Sequence, residues 1–357
     1  MSDLVNKFYR INSYYDLGHK CFLLGTFFLP TAFPISIILY LLSSIISFCL
    51  NGFNITRSNL NYPLLISLGI IIFSTLNITF LNRPEILDNY NISFIWLNLT
   101  NWLPTLIFYF SLKYYLLSFK QRNDFAKVLI FGTIPVIISM VLQKFFGVYG
   151  PFQTLFGLIV WFQKPISSVN LGVSGLFSNA NYAGAWLVLI SPFSFLLIKY
   201  IKKTKFIIPC LILLISITYM IILTASRSAL LGLFITFLLL LGIKGILKKF
   251  FFMIPFILII NFFRFNINFE LNKYLPVNLI EKIMNTFDDS RLGIWESALV
   301  RIQERPIFGW GGSTFPIVHF ENSYKLDAAK GFINAQHTHN LVIELAYNYG
   351  LPLAIFL

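Results

Sequence analysis

The sequence predicts an all-α polytopic membrane protein of about ten transmembrane helices, with one long outer loop that contains an amphipathic helix. Three observations carry this. Hydrophobic residues make up 57% of the 357 and charged residues only 11%, where a soluble domain carries roughly a quarter charged. The apolar residues fall into blocks approaching the ~20 needed for a helix to cross a bilayer, rather than the ten-residue alternating blocks of an outer-membrane barrel. Between those blocks lysine and arginine gather in short clusters, as they do in cytoplasmic loops.

The blocks run at 21–31, 34–50, 62–82, 92–112, 128–146, 181–198, 206–224, 228–243, 250–263 and 340–357. Pro30 and Pro34 divide the first apolar run into two pieces, so a tight re-entrant hairpin is an alternative to two full spans there. Counted as two, they place every basic cluster on one side: Lys7, Arg10 and Lys20; Lys113, Lys120, Arg122 and Lys127; Lys199, Lys202, Lys203 and Lys205; Lys244, Lys248 and Lys249. The N-terminus is then cytoplasmic. The expected organisation is a transmembrane bundle over 1–263, an outer (periplasmic) loop domain over 264–338 and a final transmembrane helix over 339–357. That last helix stops inside an apolar run without a basic anchor and reads as truncated.

The net charge of +13 is accounted for by these clusters and their attraction to anionic headgroups, so no nucleic-acid partner is expected; the bilayer is the partner. Cys21, Cys49 and Cys210 lie in or beside expected spans, which leaves no disulfide framework. The first apolar run follows a long polar lead without a small-residue cleavage site, so no cleavable signal peptide is expected. No internal repeat is visible.

The outer loop holds eight of the fourteen acids, interleaved with bases that include Arg291, Arg301 and Arg305. This mixed composition points to a small folded surface where chemistry takes place. Within it "DDSRLGIWESALVRIQERP" reads as an amphipathic helix, capped by Asp289 or Ser290, with Leu292, Trp295, Leu299 and Ile302 at helical spacing and Pro306 as its stop. Arg291 falls in the first turn, where free N–H groups also attract anions; a solvated arginine on a surface helix is the plainer reading. "IFGWGGSTF" lacks the lysine of a phosphate-binding loop and reads as a turn. Arg227, midway between Lys205 and Lys244, falls at the outer tip of a helical hairpin, where it either snorkels to the interface or meets a polar ligand.

"NAQHTHNLVIELAYNYG" places His337 and His339 where a polar stretch turns apolar. Three readings stand side by side. The H-x-H pair could ligate a metal with His319, Glu321 or Glu344 as a third ligand. A helix starting near Thr338 would align His337, Asn340, Glu344 and Tyr347 in a polar stripe suited to a general base. A hydrogen-bonded structural histidine is the third.

Taken together, "GLFSNANYAGAWL", "TASRSALLG", "SRLGIWESAL", "RPIFGWGGSTF" and "HTHNLVIELAYNYG" resemble the O-antigen ligase and polymerase superfamily, over roughly residues 170–357. The resemblance implies a membrane glycosyltransferase of lipopolysaccharide or polysaccharide biosynthesis in the bacterial inner (plasma) membrane. Its donor would be an undecaprenyl- or other polyprenyl-pyrophosphate-linked glycan, and its acceptor a hydroxyl of lipid A-core, a glycan or a protein. It implies no metal and no cofactor. By the same resemblance His339 is the catalytic residue and Arg227 and Arg291 bind the donor's pyrophosphate, while His337 has no dependable counterpart in the family. His337, Asn340, Glu344, Arg301 and Arg305 are secondary candidates. Glu85 and Asp88 are lesser candidates for the base. There is no D-x-D pair, and the adjacent Asp288 and Asp289 read as a helix cap. Ligase and polymerase share a donor and differ in acceptor. A bicarbonate or other anion transporter of the same superfamily, and a noncatalytic glycan-export partner, are the alternatives.

Overall fold

The computed structural model describes residues 2–52, 61–88, 90–167, 172–200, 207–240, 242, 289–323 and 335–356. The expected span at 250–263 and the outer-loop residues 265–288 and 324–334 lie outside them. The described chain is mostly helical: α1 Ser2–Phe28, α2 Phe33–Asn51, α3 Tyr62–Leu76, α4 Ser93–Asn98, α5 Leu103–Leu112, α6 Phe119–Phe145, α7 Ala180–Tyr200, α8 Ile207–Leu223, α9 Arg227–Leu240, α10 Asp289–Glu304, α11 Phe315–Ser323, α12 Leu341–Tyr349 and α13 Leu351–Phe356. Strands β1 Phe152–Thr154 and β2 Ile159–Trp161 pair antiparallel, Phe152 opposite Trp161.

Among the described residues four segments are long and apolar enough to cross a membrane: Phe33–Asn51, Tyr62–Leu81, Phe119–Phe145 and Ala180–Ile198; α8 and α9 are apolar but shorter. The chain is a membrane-embedded helical protein. Three features depart from the sequence reading. The 92–112 block is two helices, separated by a 3-10 turn at Leu99–Asn101, with Pro104 in the first turn of α5 where no N–H is needed. Residues 147–163 hold a β-hairpin that no periodicity announces. The 340–357 block breaks at Gly350, whose φ of 95° ends α12.

The chain folds as two compact units, Met1–Ser43 with Tyr114–Met284 and Ser44–Lys113 with Asn285–Leu357. In the first, α1 and α2 are joined by small residues: Ser36 and Ser43 donate to the Gly25 and Gly18 carbonyls at 2.7 and 2.8 Å, and a Cβ on Gly25 would lie 2.7 Å from the Tyr40 ring. Such close contact compensates for the missing hydrophobic drive between helices in lipid. The buried Gln143 of α6 donates to Lys164 O (2.6 Å) and Ser174 Oγ (3.2 Å) and accepts from Ser174 and Gly175 N–H, so Lys164, Ser174 and Gly175 are pinned to α6 by one fully engaged amide.

In the second unit Ile78, Leu87 and Ile95 pack with Ile294, Ala298 and Ile302 of α10, with Trp310 and Phe315, and with Ala346 and Tyr347 of α12. Arg83 ties Leu87, Asp88 and Tyr90 together by donating to the Leu87 carbonyl and, at 3.0 Å each, to those of Asp88 and Tyr90. Glu85 and Asp88 therefore sit on a loop whose course a guanidinium fixes. The glycines of "IFGWGGSTF" serve α12: Trp310 and Gly311 N–H groups donate to the last carbonyls of that helix, Tyr347 O (2.8 Å) and Asn348 O (3.0 Å). A Cβ on Gly309, at φ 65°, would lie 2.5 Å from Tyr347 O, so only glycine permits this approach.

Candidate active site

The polar turn that precedes α12 is built around Asn340, the N-cap. Its extended backbone (φ −143°, ψ 118°) and its Oδ1, which accepts from Val342 N (3.0 Å) and Ile343 N (3.3 Å), start the helix at Leu341. The residue before it, His339, has φ 55°, a left-handed conformation that is uncommon outside glycine and costs on the order of 1–3 kcal/mol unless the surroundings enforce it.

What enforces it is Thr338. This residue is buried, and all its polar groups are taken: its N–H donates to Glu344 Oε2 at 2.8 Å, its carbonyl accepts from Trp295 Nε1 of α10 at 2.9 Å, and its hydroxyl lies 2.9 Å from both Glu344 Oε2 and the Asn340 carbonyl. The hydroxyl has one proton, and the charged oxygen is the stronger acceptor. Hydrogen bonds to a charged group stabilise by about 1.5–3 kcal/mol each, enough to offset the strain at His339. The second Glu344 oxygen accepts from Asn348 Nδ2 at 3.1 Å. Pinning Thr338 inward leaves the side chains on either side, His337 and His339, exposed, with ring centroids 4.9 Å apart at 68°.

This geometry corrects the expected stripe. His337 and Asn340 do not continue α12 backward, because the chain leaves helical dihedrals at Asn340 and again at His339; the polar face of α12 begins at Glu344. Glu344 has both oxygens engaged within the protein and serves the turn. His319 is buried on α11, stacked on Phe315 with centroids 5.0 Å apart, and its Nδ1 lies 3.0 Å from Ser297 Oγ. Among the described residues no three His, Cys, Asp or Glu side chains converge.

The arginines fall in different places. Arg291 stands in the first turn of α10, one turn before Trp295; its side chain lies outside the described residues. Arg301 pairs with Glu304 at 2.9 Å and Arg305 donates to Asn82 O at 2.8 Å, while both guanidinium groups lie over the Trp310 ring, 5.3 and 5.1 Å from its centre. Burial pulls the Arg305 guanidinium below its ordinary value and Glu304 acts against it. Tyr90, whose phenol burial pushes up, remains a neutral donor to Ser313 O at 2.8 Å. Arg227 belongs to the first unit, half-buried at the tip of the α8–α9 hairpin, directly after Ser226, whose Oγ accepts from Ala229 N (3.4 Å) as the cap of α9.

Thr338, Trp295 and Asn348 are the participants that sequence reasoning missed. Trp295 carried one signal, its position four residues after Arg291. Thr338 and Asn348 carried none, since each is defined by a partner on another turn or element.

The description O-antigen ligase belongs to a family model that matches residues 211–357, the stretch that contains α9, α10, the glycine loop and the His337–His339 turn. Residues 211–357 are similar to the O-antigen ligase family. The superfamily resemblance of the sequence motifs is thereby borne out. No curated protein matches the chain. The O-antigen ligase family is a class of membrane enzymes of glycosyltransferase type, acting on lipid-linked glycans in a lipid environment.

Proposed function

We propose that the protein transfers a polyprenyl-pyrophosphate-linked glycan to a hydroxyl acceptor, independently of metal, on the periplasmic face of the bacterial inner membrane. The observation that supports this reading is the exposed imidazole of His339, displayed on a left-handed turn directly after Thr338, whose own polar groups are all engaged. Strain maintained at one residue by several hydrogen bonds is characteristic of a working position.

The acceptor oxygen attacks the anomeric carbon, forming a new C–O bond as the bond from that carbon to the pyrophosphate oxygen breaks. The acceptor's proton passes to a neutral His339 nitrogen, and polyprenyl pyrophosphate leaves with the bonding pair. Negative charge grows on that leaving group, and a planar guanidinium meets it with two parallel hydrogen bonds. Arg291, near the start of α10 and one turn before the Trp295 that holds Thr338, is the candidate of the second unit for this task; Arg227, in the first turn of α9, is that of the first. The positive-inside reading of the lysine clusters supports an outer position for both.

His339→Asn tests the reading. Asparagine tolerates the left-handed conformation but accepts no proton, so the turn is kept and the base removed. Glycan gels of cells making the variant at normal levels should show no transferred glycan; wild-type amounts of product would reject His339 as the base.

A further inference from the structure

Glu344 is the only acid in the first turn of α12, and both its oxygens are engaged within the protein: Oε2 receives Thr338 twice and Oε1 receives Asn348. Oε2 has both of its lone pairs directed at Thr338, which makes this oxygen the anchor of the turn. Its effect is exerted on the backbone of the residue between the two histidines. A buried middle residue flanked by two exposed ones is not what a short polar turn adopts unaided; here it results because Thr338 is drawn inward by Glu344 from one side and by Trp295 from the other. Released from that pull, the backbone at His339 would relax out of φ 55° into the favoured region, and the imidazole would swing away with it.

We propose that Glu344 is the positioning residue of this site, acting through Thr338 to fix the left-handed turn that presents His339. The inference rests on the reading of His339 as the base. It requires an acceptor at position 344, not a charge. In Glu344→Gln the amide oxygen can still take both Thr338 hydrogens. Its NH2 then faces Asn348, whose buried Oδ1 has no partner among the described residues and can turn to receive it. Glu344→Ala removes the acceptor altogether. Thr338→Ser keeps the hydroxyl, and Thr338→Val loses only that.

Two measurements on the full-length protein in detergent decide it. Hydrogen–deuterium exchange over residues 335–343 should rise in Glu344→Ala and stay at the wild-type rate in Glu344→Gln and Thr338→Ser, with Thr338→Val between. Equal exchange in wild type and Glu344→Ala overturns the latch whatever the activity. For turnover, the probes are the lipid-linked glycan extracted from producing cells and lipid A-core, with release of polyprenyl pyrophosphate followed. A displaced catalytic group can cost about 100-fold, so Glu344→Ala should lose at least about tenfold in kcat, with the KM for donor unchanged within about threefold, and Gln should restore it. If Gln is as impaired as Ala, Glu344 acts by its charge and the positioning role is wrong. If the wild type turns over nothing, the glycan-transfer reading falls, and the exchange measurement still decides the latch.

Discussion

Asn348 faces two ways: its side-chain Nδ2 donates to Glu344 Oε1 at 3.1 Å, while its main-chain carbonyl accepts from Gly311 N–H at 3.0 Å. One turn of α12 thus joins the carboxylate that holds the histidine turn to the glycine loop that closes the helix. The same residue is buried, so neither contact can be replaced by water.

Asn348→Asp should therefore be costly. It sets a second carboxylate against Glu344, which makes no ion pair among the described residues, and an uncompensated buried charge destabilises by about 3–5 kcal/mol. Repulsion raises the folded-state pKa of the pair above the unfolded values, so the penalty is largest at neutral pH and shrinks as pH falls toward about 4. A melting temperature in detergent equal to that of wild type at pH 7 would contradict this.

Gly350→Ala is expected to abolish the folded protein. The residue has φ 95°, and an added Cβ would lie 2.0 Å from the Ile307 carbonyl oxygen, a backbone atom that cannot yield. Gly69, within α3 and with nothing inside 4 Å of an added Cβ, is the control: alanine there should leave stability unchanged or raise it by up to about 1 kcal/mol. Size-exclusion profiles of the two variants check the contrast.

Arg227→Lys and Arg291→Lys should each impair donor use although the charge is kept, because an ammonium group cannot reproduce the planar fork of a guanidinium. The measurement is the KM for lipid-linked donor. Unchanged values in both variants would mean that these residues only anchor helix starts.

The lysine clusters predict the sidedness of the chain. Cysteines placed at Lys203 and Lys325 should differ toward a membrane-impermeant thiol reagent in intact cells, only the second reacting. Equal labelling would reverse the outer assignment of the histidine turn.

Enzyme and transporter are separated in liposomes. A carrier needs a site reached from both faces, usually at the midplane and between broken helices. The histidine turn instead precedes a helix at the expected outer boundary. Given a polyprenyl-pyrophosphate glycan and an acceptor, the protein should form glycosylated product and free polyprenyl pyrophosphate, in the presence of a chelator and without bicarbonate uptake. Arginine-dependent bicarbonate uptake with no transfer to any acceptor would promote the transporter.

The sequence by itself determined the helices whose boundaries depend on local composition. The 62–82 block is observed as Tyr62–Leu81, 206–224 as Ile207–Leu223 and 228–243 as Arg227–Leu240, because a continuous apolar run offers its backbone no side-chain partners and a helix satisfies that backbone within the run. The amphipathic helix α10, Asp289–Glu304, was legible for the same reason, from its acidic start, its period and Pro306 beyond its end. Motif resemblance located the turn at His337–His339. Only the tertiary structure decided that α12 ends at Gly350, that residues 44–113 fold with 285–357, and that Glu344 and Trp295 converge on Thr338. Those facts depend on pairings between distant residues, such as Trp295 with Thr338 and the Gly309–Gly311 backbone with the end of α12. Hydrophobic period describes which face of a helix is apolar, and it carries no record of which backbone carbonyl another element will come to meet.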